Sequence, residues 1–266
     1  MTLIGTSEQE RWERLWRGYI PRWEVSDIIE FEINLIIRKY FPNEASLFLE
    51  SGCGVAERSL LFIKENTFFI GVDFSREALR ISSTLAKKLQ KARNSAFVLA
   101  DVRCLPFKPN CFDLSWNSGV IEHFAHKEGQ QVINEMTRVT KRGGFIAIFV
   151  PNALSKYKVW KMLKVPWPYG LEEPYTPSKI EKSLAKAGLI ILRRSGTHIF
   201  PFYSFLRGLG IKNMEKYFRV LKGLFKYTEW LNAFLGPAIF RLAQKPIHIM
   251  RNENFVSYAR KQKIFL

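Results

Sequence analysis

The 266-residue chain reads as an α/β protein: a parallel sheet with helices on both faces, preceded by helices and interrupted by a further helical stretch before its last strand. Three observations carry this. Between residues 45 and 150, apolar runs of strand length alternate with stretches of helical periodicity, joined by short connections, which is the pattern of a parallel sheet. The segment Leu47-Phe48-Leu49-Glu50-Ser51-Gly52-Cys53-Gly54 is an apolar run that ends in an acid and two glycines, the layout of a buried strand that stops at a tight turn and leads to a ligand. Finally, Glu50, Asp73, Asp101 and Asn117 all fall at the ends of predicted strands, the side on which open α/β sheets hold their ligands.

In chain order, residues 7–40 are helical, with an apolar face through Trp12, Leu15, Trp16 and Tyr19, a break at Pro21, and a second face through Ile28, Ile29, Phe31, Leu35 and Ile36. The first strand is expected at 45–50 and a helix at 56–65. A Phe- and Ile-rich strand follows at 67–73, then a helix from an N-cap at Ser75 to about Arg93. Short strands are expected at 96–100 and 112–116, and a helix from about 127 to 140 with Gly143-Gly144 in its exit turn. An apolar strand covers 145–150. Beyond Pro151 the segment 152–175 mixes basic residues, aromatics and prolines and reads as irregular or short helices. A helix at 178–187, a strand at 189–194, a mostly helical stretch at 200–235 and a last strand at 238–243 complete the reading.

Composition narrows the class. Cys53, Cys104 and Cys111 lack metal-ligand spacing, and an odd count argues against a disulfide framework, so reduced thiols and a cytoplasmic setting are expected. The first sixteen residues are polar and charged, unlike a secretory signal, and no apolar run reaches the length of a membrane span. The net charge of +17 is lopsided: residues 1–150 contribute +2 and residues 151–266 contribute +15. The basic half suits an anionic partner, such as a lipid headgroup surface, nucleic acid or an acidic substrate, although a plain solubility charge has the same signature.

The motifs separate cofactors. A dinucleotide site wants a third glycine, but Val55-Ala56-Glu57 follows Gly54, and Glu57 would set a negative charge where a pyrophosphate lies. The chain contains no Gly-Lys-Ser/Thr phosphate loop. Asp73 lies 23 residues beyond Glu50, in keeping with a carboxylate about 20 residues after a glycine turn that accepts bonds from ribose hydroxyls. Asp101 could accept a bond from an exocyclic amine while Val102 packs on a flat ring.

Taken together, Glu50-Ser51-Gly52-Cys53-Gly54, Gly71-Val72-Asp73-Phe74-Ser75, Ala100-Asp101-Val102, Phe112-Asp113-Leu114 with Gly119 to Phe124, and Arg142 to Ile148 resemble the ordered motifs of class I S-adenosylmethionine-dependent methyltransferases, the type 11 branch most of all. The resemblance is good over 45–150 and weak beyond. It implies a Rossmann-like, seven-stranded, mostly parallel sheet whose final strand runs antiparallel. It also implies S-adenosyl-L-methionine as cofactor, bound by Glu50, Ser51, Gly52, Gly54, Asp73, Phe74, Asp101, Val102, Asn117 and Ser118. His123, just past the fourth strand, is the candidate base. Residues 1–43 would then be a helical segment over the cofactor cleft, 44–150 the cofactor-binding core, and 151–266 the completion of the sheet with basic, aromatic insertions.

The expected function is methyl transfer to a small apolar or lipid-like acceptor. A basic amphipathic stretch around Lys212 to Leu231 suits a lid or an anionic membrane surface, so a chain peripheral to the membrane fits as well. RNA methylation, and a cofactor-binding module without catalysis, stand as alternatives. The chain lacks an Asn-Pro-Pro-Tyr signature of base methylation, which makes nucleic acid the weaker partner.

Overall fold

The computed structural model of the chain describes residues 6–19, 28–42, 45–154, 172–196 and 238–247. The helical stretch expected at 200–235, and most of the irregular segment 152–175, lie outside the described residues. Two helices, α1 (Thr6–Arg17) and α2 (Ile28–Tyr40), precede the sheet. Then follow β1 (Ser46–Ser51), α3 (Ser59–Phe62), β2 (Thr67–Asp73), α4 (Arg76–Lys88), β3 (Ser95–Leu99), β4 (Phe112–Ser118), α5 (His126–Val139) and β5 (Thr140–Pro151). The described chain ends with α6 (Pro177–Lys186), β6 (Ile190–Gly196) and β7 (Ala238–Gln244).

The seven strands form one sheet in the order β3-β2-β1-β4-β5-β7-β6, and only β7 runs antiparallel to its neighbours. From β1 the chain winds outward through β2 and β3, then returns to place β4 on the other side of β1. The β1/β4 boundary is therefore the point at which the winding reverses, and a crevice opens there beyond the strand ends.

The central strands are largely apolar in their middles because both faces are covered. One core layer joins Phe48, Phe69, Leu114 and Trp116 of the sheet to Ile33, Ile36 and Ile37 of α2 and to Leu79 and Leu85 of α4. The opposite layer joins Leu49, Val72, Ile146 and Ile148 to Val132, Ile133 and Met136 of α5 and to Ile180 and Leu184 of α6. Each layer takes alternate residues of the same strands, as the pleat requires. Ser75 caps α4 by accepting a bond from the Ala78 N–H at 3.1 Å, as its position in the sequence predicts.

Three expectations are corrected. The helix expected at 56–65 shrinks to Ser59–Phe62, because Ala56 sits at φ 50° and prolongs the turn. The α4 helix stops at Lys88, ahead of Gln90 at φ 59°, rather than near Arg93. Gly143-Gly144 lies inside β5 instead of an exit turn: Thr140 already pairs with Phe112, and an irregularity in the β4–β5 ladder absorbs the mismatch.

Candidate active site

A cavity of about 330 Å³ lies where the winding reverses, walled by the turn after β1, the ends of β2 and β4, the loop after β3, the post-β4 loop and α1. The glycine turn lets it form. Gly52 has φ +78°, and a Cβ there would sit 2.5 Å from Val120 Cγ2; at Gly54, φ +51°, a Cβ would press the Trp16 ring at 2.9 Å. Only glycine lets both neighbours close on the turn.

Nine of the sequence-predicted positions line this cavity: Glu50, Gly52, Gly54, Asp73, Phe74, Asp101, Val102, Ser118 and His123. Ser51 and Asn117 do not. Each is fully buried and sits one residue from a lining position on its strand, so the pleat turns it to the other face. The Asn117 amide nitrogen instead lies 3.3 Å from Met136 Sδ on α5.

The carboxylates differ in their surroundings. Asp73 accepts the Gly54 N–H at 2.8 Å on Oδ2 and the Ser75 N–H at 2.9 Å on Oδ1. Each oxygen therefore keeps an acceptor position for another donor. Burial lifts Asp73 to about 6 against the pull of these backbone bonds. Burial raises Glu50 to about 7, opposed by the hydroxyl of Ser59, which donates to Oε2 at 2.5 Å. Burial and the nearby Asp73 and Glu50 charges push the Cys53 thiol well up, which keeps it protonated and inert.

Asp101 is engaged differently. Arg103 donates to it through its backbone N–H at 2.8 Å, Nε at 3.1 and 3.0 Å, and Nη2 at 2.7 Å. The same guanidinium reaches Glu128 on α5 at 2.5 Å and lies 5.2 Å from the centre of the Phe124 ring. The backbone N–H groups of the turn are also taken: Gly52 and Cys53 donate to Val72 O at 2.8 and 2.9 Å, and Gly54 donates to Asp73. They are not available to a ligand carboxylate, contrary to the simplest expectation for a helix start. The cation placed on the wall directly after the turn is Arg58.

The α1 helix closes the cavity. Trp12, Trp16 and Tyr19, one stripe at helical spacing, all line it. Glu13 accepts three bonds at the α4 N-terminus, from Ser75 Oγ, Arg76 N and Glu77 N at 3.1, 2.8 and 3.0 Å. Gln9 donates to Phe74 O at 3.1 Å, Tyr19 donates to Glu57 at 2.5 Å, and Trp12 meets the His123 ring edge-on at 5.1 Å. Sequence patterning shows the aromatic stripe but not its seat, because Glu13, Gln9 and Tyr19 find partners 38 to 65 residues away. The Arg103 contacts are not legible in the sequence either: Asp101 is only two residues away, but the fold-back of the side chain onto it is a rotamer that the packing against Glu128 and Phe124 selects.

The structure thus has a Rossmann-like, seven-stranded sheet in the order 3-2-1-4-5-7-6, with a ligand-sized crevice at its switch point and acids at the ends of β1 and β2. Residues 49–148 match the family described as a methyltransferase domain. An uncharacterised protein of Methanocaldococcus jannaschii is 28% identical over 141 residues, which cover 52% of this chain and 56% of that protein. The ubiquinone/menaquinone biosynthesis C-methyltransferase of Wigglesworthia glossinidia brevipalpis is 27% identical over 132 residues, 47% of this chain and 52% of that one. The chain thus spans little more than half the length of these relatives. Among solved structures, the geranyl diphosphate C-methyltransferase of Streptomyces coelicolor A3(2) superposes with a TM-score of 0.61 at 12% identity, covering 91% of this chain and 100% of that one, which shows a shared fold. Residues 49–148, less than half of the chain, are thus similar to a methyltransferase domain, and the solved structures add a shared fold.

The residues present would suit S-adenosylmethionine: buried carboxylates at the strand ends could face a sulfonium or an ammonium, Asp73 keeps acceptor capacity for a diol, and Val102 and Phe74 offer apolar surface to a ring.

Proposed function

We propose that the protein transfers a methyl group from S-adenosylmethionine to a small apolar or lipid-like acceptor, in the cavity between the glycine turn and α1. The observation that carries this is the composition of that cavity, in which acids line the strand ends and Trp12, Trp16, Tyr19 and Phe124 line the opposite wall. When bound, the cofactor supplies an electrophilic methyl on a sulfonium sulfur. The chain's own residues position and exclude water. Asp73 accepts bonds from the ribose diol, Val102 and Phe74 pack on the adenine, Gly52 and Gly54 let the turn approach the methionine part, and Arg58 pairs with its carboxylate. Alignment of acceptor and methyl group is worth several kcal/mol by itself, up to about 7–11 in the best cases. A base is needed only where the acceptor must lose a proton. We assign that proton to His123, a reading supported by its position on the wall and its contact with Trp12.

An apolar acceptor is supported by the aromatic wall and by the quinone-pathway name of the Wigglesworthia relative. The basic character of residues 151–266 supports contact with an anionic membrane surface. Among the described residues, no helix is long and apolar enough to cross a membrane.

The test is calorimetric titration with S-adenosylhomocysteine, followed by transfer of labelled methyl to quinone, phenol and prenyl acceptors and, in parallel, to RNA. Binding that weakens at least tenfold in Asp73→Ala, with label in an organic-extractable product, is expected. Label in RNA alone would favour the nucleic-acid reading, and binding without turnover on any acceptor a non-catalytic module. Flotation with anionic vesicles should show association that salt weakens.

A further inference from the structure

We propose that Arg103 is a specificity-determining gate on the adenine end of the cleft, competing with the cofactor's 6-amino group for the Asp101 carboxylate and yielding to it by turning toward Glu128 and Phe124. The inference rests on the reading above, in which Asp101 and Val102 border the adenine.

An ionised carboxylate offers about four acceptor positions, two on each oxygen. Asp73 uses one on each oxygen, so a diol can be added without displacing anything. Asp101 is more heavily engaged, by three N–H groups of Arg103, the single Nε–H being shared between its two oxygens. Oδ1 receives the Arg103 backbone N–H and Nε, while Oδ2 receives Nε and Nη2. An amine that reaches Asp101 must take at least the longest of these contacts, Nε to Oδ1 at 3.1 Å, and gains a full bond only when the guanidinium moves off.

The guanidinium has somewhere to go. Nη1 already holds Glu128 Oε1 at 2.5 Å, and the Phe124 ring centre is 5.2 Å from Cζ. A charge leaving Asp101 thus keeps one carboxylate and one aromatic face, which limits the cost of the move. Asp101 and Arg103 are each 26% exposed, so the pair is shielded enough for its making and breaking to register in affinity. Arg103, Phe124 and His123 all line the same cavity.

The exchange predicts a signature that general loosening of the loop cannot imitate. Calorimetry on the full chain would compare S-adenosyl-L-homocysteine with S-inosyl-L-homocysteine, which carries oxygen in place of the amine. In Arg103→Gln the competitor is gone, and the preference for the amine-bearing ligand widens about threefold to tenfold, the scale of one hydrogen bond to a charged group. In Glu128→Gln the alternative anchor is weakened, Arg103 stays on Asp101, and the preference narrows. Affinities that fall equally for both ligands in either variant, or a preference that does not change, overturn the gate while leaving the cofactor assignment intact. Failure of the wild-type protein to bind either ligand overturns both.

Discussion

Glu122 is the buried acid whose removal tests the cleft's support most directly. It lies under the post-β4 loop, 1% exposed, and its Oε2 has no hydrogen-bond partner among the described residues. Burial comes first among the causes that raise it from an ordinary 4.5 to about 8, and the Glu172 charge adds to the shift. Among the described residues, no cation contributes to its shift. Tyr175 is itself pushed up to about 12 by burial and by the Glu122 charge, and His126 is paired with Glu173 at 3.0 Å. A carboxyl raised in the folded state contributes stability that is fully present below its unfolded value and is lost as pH rises through the folded one. From 4.5 to about 8, at about 1.4 kcal/mol per unit, the upper bound is about 5 kcal/mol; relaxation and water entry reduce it to about 2–5. The perturbation is Glu122→Gln, which cannot ionise. Urea unfolding of both proteins at about pH 5, 7 and 9 is expected to show the wild type losing stability relative to the variant across this window, with nearly all of the divergence above pH 5. Cofactor affinity of the wild type should fall over the same range, since Gly119, Val120 and His123 of that loop line the cavity. Unfolding curves that stay parallel from pH 5 to 9 would falsify the assignment of a buried, neutral Glu122.

Three further outcomes follow from the same geometry. Gly52→Ala must place a Cβ 2.5 Å from Val120 Cγ2 at φ +78°, so it should lose about 2–4 kcal/mol in denaturant unfolding, and Val120→Ala in the same chain should recover the clash but not the backbone strain; a loss under about 0.5 kcal/mol contradicts this. Glu13→Ala removes the acceptor of three bonds at the α4 N-terminus and should weaken α1 docking by about 1 kcal/mol, seen as a red shift in tryptophan emission and faster proteolysis of the N-terminal helix; unchanged emission and cleavage would show that the cap does not hold α1. His123→Ala should keep cofactor affinity within about twofold and lose turnover by about a hundredfold or more, and retained turnover removes His123 from proton transfer.

Much of this was legible in the chain itself. The strand–turn–helix alternation and the near-continuous apolar runs at β1, β2 and β5 specify a sheet covered on both faces, and the Gly52/Gly54 turn with Asp73 marks where the cavity forms. These signals are local: period, turn chemistry and the end of an apolar run can be read within a few residues. The match of residues 49–148 to a methyltransferase domain follows from the order of such local motifs.

What only the tertiary structure decided depends on long-range partners and on strand parity. Ser51 and Asn117 look like site residues by position, yet a pleated strand sends neighbours to opposite faces, and both point into the core. Asp101 looks like a free acceptor until its near neighbour Arg103, held from the far side by Glu128 on α5, folds back on it, and α1 is an aromatic stripe until Glu13 and Tyr19 dock it on α4 and Glu57. The sequence alone determined which side chains occupy the strand ends. The fold decided which of them keep a lone pair to offer a ligand, because a hydrogen bond's second partner is chosen by proximity in space rather than along the chain.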